Sequence, residues 1–197
     1  MTETNANLPA PYMGYGVFLK SIETLSDTVV PSGPLDRRVL KDFSGGDYSA
    51  LVSGLRFLGL TDDHRKATAK YRELVGLWND KPKFKETLFE ILTASYLPIV
   101  KGLDLKHGTS AELEKAFKDY GVPQGQMLEK AVRFFVKAFS DNGMTLSPHM
   151  TAPKPRAQGP RRKPAPQPQG TLPDHNHSRP VDELPPGYER LPLPGMG

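Results

Sequence analysis

Residues 34–72 carry eight cationic side chains, Arg37, Arg38, Lys41, Arg56, Arg65, Lys66, Lys70 and Arg72, against five carboxylates. The local net charge is +3, while residues 1–33 sum to −2 and residues 73–150 to zero. Segregated Lys and Arg suit phosphate, because each neutralised phosphate releases condensed counterions whatever the base. Ser49, Ser53 and Arg56 recur at helical spacing on a face opposite an apolar one. Hydroxyls and a guanidinium on such a face reach base edges, and Arg is the usual reader of guanine. The residues expected to bind DNA are therefore Arg37, Arg38, Lys41, Ser49, Ser53, Arg56, Arg65 and Lys66. Asp47, Asp62 and Asp63 oppose them. A second basic run, PKPRAQGPRRK (153–163), holds Lys154, Arg156, Arg161, Arg162 and Lys163 and no acid. Spaced by Pro and Gly, it reads as an extended arm that adds non-specific affinity for nucleic acid.

Other chemistries find no constellation. His64, His107, His149, His175 and His177 stand in no metal-ligand spacing, and the chain has no cysteine. Ser44-Gly45-Gly46 lacks the surrounding pattern of a phosphate loop. Glu86/Glu90 and Glu112/Glu114 sit as on solvated helix faces. The expectation is a non-enzymatic protein with no catalytic residues, no metal, no cofactor and no small-molecule substrate.

The elements that must position these residues are helical. Tyr15, Phe18, Ile22, Leu25 and Val29 recur at three- and four-residue steps and predict a first helix over 12–27. Leu35, Val39, Leu40 and Phe43 predict a short second one. After the turn Ser44-Gly45-Gly46, the apolar stripe Tyr48, Leu51, Val52, Leu55 and Leu58 predicts a third over 47–58. Residues 59–68 read as a small polar hairpin, which places Arg65-Lys66 at its tip. Thr68 caps a fourth helix whose stripe closes on Trp78, expected to be buried. A fifth opens at Asp80 and Pro82 and stops near Leu97, before Pro98. Thr109 and Glu112 form a capping-box pattern for a sixth. A seventh spans 123–140 and stops at Asn142-Gly143.

Residues 41–60 lie over residues 118–137 without a gap, matching Lys41/Lys118, Asp42/Asp119, Leu51/Leu128, Arg56/Arg133 and Phe57/Phe134. Each copy reads as helix end, Gly-containing turn and amphipathic helix. Phe57 and Phe134 fall off their own stripes, which marks either a contact between the two copies or a partner site. Only the first copy is followed by a hairpin. The order helix, short helix, Gly turn, helix, hairpin is that of a winged helix-turn-helix.

The run PLDRRVLKDFSGGDYSALVSGLRFLGLTDD (34–63), then KATAKYREL, the apolar text from Phe84 to Ile99, FKDYG and AVRFFVKAFSDNGMTLSP resemble a bacterial family of unknown function, numbered 5343. The resemblance covers about residues 8–148. It implies the helical fold and its limits, and no activity.

Of 20 prolines, 12 lie in residues 151–197, a stretch too poor in apolar side chains to offset the entropy of ordering it. The expected organisation is a mainly α domain over 1–150, then a disordered Pro-rich basic tail. Within the domain, 8–79 form a winged helix-turn-helix-like module and 80–150 a second helical-hairpin module. Residues 1–20 show no signal-peptide pattern and no apolar run is long enough to span a bilayer, so a cytoplasmic location with no membrane partner is expected. The favoured function is duplex-DNA binding; the alternative is a helical protein-interaction adaptor that binds no nucleic acid.

Overall fold

The computed structural model describes residues 8–151, all within one unit spanning Met1–Lys154. The predicted tail, including Lys154, Arg156, Arg161, Arg162 and Lys163, lies outside the described residues. The chain there is mainly helical: α1 (Tyr15–Ser26), α2 (Gly45–Phe57), α3 (Ala69–Gly76), α4 (Lys81–Val100), α5 (Ser110–Asp119), α6 (Gln126–Asp141) and α7 (Pro148–Thr151). Helix α1 buries Tyr15, Phe18, Ser21, Ile22 and Leu25 and packs on α2, α3 and α6. Helix α6 packs on α4 and α5 as well, so one hydrophobic core runs through both halves.

Helix ends follow their local chemistry. Ser44 caps α2 by accepting the Asp47 N–H at 3.2 Å, and its hydroxyl donates to the Asp47 carboxylate at 2.8 Å. Thr109 and Glu112 form a reciprocal capping box on α5. Gly59 (φ 65°) takes the left-handed conformation after α2, so the Leu60 N–H reaches the Leu55 carbonyl at 2.8 Å. Gly121 does the same after α5, where the Val122 N–H reaches Phe117 O at 3.0 Å.

Four expectations need correction. The short helix over Leu35–Phe43 is a run of turns. One helical bond forms, Leu40 N–H to Asp36 O at 3.0 Å, and the next contact, Phe43 N–H to Leu40 O, is already the tighter kind. The Asp36 carboxylate accepts the Arg38 and Val39 N–H groups at 2.9 and 3.2 Å, and the burial of Leu35, Leu40 and Phe43 is achieved without a helix. The hairpin shrinks to isolated bridges, Thr61 with Ala67 and Pro34 with Lys66. Here the Asp62 carboxylate accepts the His64 and Lys66 N–H groups at 2.9 and 2.8 Å, and the backbone pairing amounts only to Asp62 N–H to Lys66 O and Thr68 N–H to Leu60 O, both at 3.0 Å. Helix α4 runs through Pro98 to Val100. The proline removes a bond to the Ala94 carbonyl, and both residues are exposed, where water replaces it. Finally, Trp78 is half-buried, because α3 ends at Gly76 and leaves it in the following turn. Its ring meets the Phe84 edge at 5.2 Å and lies under Lys81 Nζ at 3.3 Å.

Candidate nucleic-acid interface

The predicted basic residues sit on three segments that meet around Tyr48. The Pro34–Lys66 bridge and the Leu35 N–H to Arg65 O bond (2.9 Å) join the 34–43 turns to the 61–67 loop. Tyr48, on the first turn of α2, donates its hydroxyl to the Leu35 carbonyl at 3.1 Å. Arg65 adopts φ 63° and donates a guanidinium N–H to the Tyr48 hydroxyl at 3.4 Å. From the other side the Arg37 guanidinium lies over the Tyr48 ring, 5.6 Å from its centroid. Two arginines from separate segments thus converge on one half-buried tyrosine. Lys66 is exposed beside Arg65, and Arg38 and Lys41 are exposed on the 34–43 turns.

The α2 stripe departs from the simple recognition-helix picture. Ser49 is exposed and Ser53 half-buried. Arg56 is exposed but pairs with Asp63 at 2.6 Å. Both partners are solvated, so the pair contributes only about 0–1 kcal/mol and yields readily to a stronger anion. Ser49, Val52, Ser53 and Arg56 line an open depression of about 310 Å³ with Leu8, Pro9, Asp63 and Arg65. Ala10, Pro11 and Met13, which follow Leu8 and Pro9, are buried.

Sequence reasoning missed two participants. Tyr48 was expected only as a core side chain, and no spacing rule marks it as the junction of the two arginines. The segment from Leu8 to Gly14 carried no site expectation, although Gly54 inside an apolar helix leaves room for another segment to pack closely, here through Met13 and Pro11. The matched aromatic residues prove to be core: Phe57 is 0% exposed and Phe134 is 1% exposed. Among the described residues no group of three metal-ligating side chains assembles, and no helix is long and apolar enough to cross a membrane. No family model, no curated protein and no solved structure matches this chain.

Proposed function

We propose that the chain is a non-enzymatic duplex-DNA-binding or regulatory protein whose contact surface is the region over residues 34–72, the part whose sequence reads as a winged helix-turn-helix. The observation that carries this reading is the convergence of Arg37 and Arg65 on Tyr48, with Lys66 alongside. Arginines stacked on or bonded to a tyrosine are pre-oriented, so less side-chain entropy is lost when each meets a phosphate. The resemblance to the family of unknown function numbered 5343 supplies no activity, so the reading rests on this geometry. A gel-shift comparison tests it. Arg37→Glu with Arg65→Glu should weaken duplex binding at least tenfold, whereas Arg133→Glu, on the matching position of α6, should leave it unchanged. Equal binding by all three proteins would reject the reading.

One observation favours the adaptor as a second reading. The depression on α2 sets Leu8, Pro9 and Val52 beside Arg56 and Arg65, a lining suited to an extended acidic peptide. Phe57 and Phe134 offer that reading no surface, since both are buried.

A further inference from the structure

The outer stripe of α2 does not protrude. On one flank the Leu8–Gly14 segment is laid against the helix. Gly54 is buried there, and a Cβ at that position would meet Met13 Cε at 2.6 Å and Pro11 Cβ at 3.3 Å, so the strap's own Met13 and Pro11 side chains fill the space against the helix. The strap is tied down where it begins, the Tyr120 hydroxyl donating to the Leu8 carbonyl at 3.0 Å. On the other flank stands the 61–67 loop, joined to the helix by the Arg56–Asp63 pair. Between these walls Ser49, Val52, Ser53 and Arg56 form the floor of the depression.

A helix that reads bases must enter a major groove about 12 Å wide and 8.5 Å deep. With its side chains a helix is already about 10–12 Å across, which leaves no room for a wall on either flank. The cations available to a duplex outside the depression's floor are Arg65, which lines it, exposed Lys66 next in the loop, and Arg37 over the Tyr48 ring; these form the basic rim of the region. We infer that this surface takes duplex DNA of any sequence, gripping phosphates from the rim with no base readout by α2. The inference rests on the DNA-binding reading and narrows it. It also revises the expectation that Arg56 reads guanine.

Selection from a random-sequence duplex pool by the full chain, followed by competition between enriched and shuffled duplexes, tests it. No motif should emerge, and affinities should agree within about threefold. Arg56→Ala should leave the ratio of those affinities unchanged, while Arg37→Glu with Arg65→Glu should weaken all duplexes alike. A motif bound more than tenfold tighter than its shuffled version, with the preference lost in Arg56→Ala, would overturn base-independent binding and leave DNA binding standing. Duplex binding that is absent, or unaffected by the double reversal, would overturn the DNA-binding reading and this inference with it.

Discussion

Residues 41–60 and 118–137 share their Lys-Asp starts and their Arg-Phe ends, yet they differ in what covers the second helix. The shared positions serve packing, and they do so reciprocally. Phe57 meets Tyr96 and Tyr120 of the second half edge-on at 5.0 and 6.2 Å. Phe134 meets Tyr15 and Phe18 of the first half at 5.8 and 6.0 Å. The differences lie outside the core. Helix α2 starts on a Ser44 cap, whereas α6 starts after Gly125 (φ 89°) with no side-chain cap. Position 54 is Gly under the Met13 side chain, while its counterpart is Ala131, fully buried. Only the first copy is followed by a loop bearing Arg65 and Lys66. Similarity here records how two helices bury themselves, and the candidate function sits where the copies diverge.

The largest expected effect would break the symmetry if it were false. Phe57→Ala and Phe134→Ala should each cost about 3–5 kcal/mol in urea unfolding, because each empties an aromatic site in a close-packed core. A loss below about 1 kcal/mol at either position would mean that the two phenylalanines are not equivalent.

A pH effect comes next, and its Tyr71 part reports the α1–α3 contact, where the Tyr71 hydroxyl lies 3.4 Å from Ser21. Burial pushes the Tyr71 hydroxyl up to about 12, opposed only by its contact with Ser21. Burial likewise raises Tyr15 to about 12. Unfolded tyrosine releases its proton near 10, before the folded state does, so the folded state holds more protons between about 10 and 12. Stability from this source is complete below pH 10 and falls as pH rises towards 12. The loss is on the order of 2–3 kcal/mol for Tyr71. Alkaline unfolding of Tyr71→Phe should be correspondingly less steep in that window.

Smaller effects sharpen the contrast between the helices. Ser44→Ala should cost about 1 kcal/mol by removing the α2 cap, an interaction with no counterpart on α6. Ala131→Gly should cost at least as much, through backbone entropy and a lost buried methyl. Gly54→Ala should change stability less than that, the helix-propensity gain being offset by displacement of the Met13 methyl. Tyr96 is fully buried with no partner for its hydroxyl, so Tyr96→Phe should keep or raise the thermal midpoint.

Much of the fold was legible because its signals are local. The Thr68 and Thr109 caps, the stop at Asn142-Gly143 and the stripes of α1, α2, α5 and α6 each depend on residues within a few positions of one another. What was not legible depends on distant groups. The 34–43 turns are pinned at Leu35 by bonds to Tyr48 and Arg65, and the loop after α2 is held by the Asp62 carboxylate and a few backbone bonds that stop short of a ladder. Pro98 continues α4 because its lost bond faces water, which no residue pattern announces. The cationic residues between Arg37 and Lys66 were legible in the sequence as a charge cluster. Their meeting at Tyr48, and the strap that sinks the α2 stripe, required the tertiary structure.

The central claim is that the first copy, through its rim arginines, contacts DNA phosphates. The most direct measurement is the salt dependence of duplex binding by the full chain and by Arg37→Glu with Arg65→Glu. With log affinity falling by about 0.9 per phosphate contact for each unit of log salt, loss of two contacts should make the slope shallower by about 1.8. Identical slopes for the two proteins would show that the rim arginines touch no phosphate, and would contradict the account.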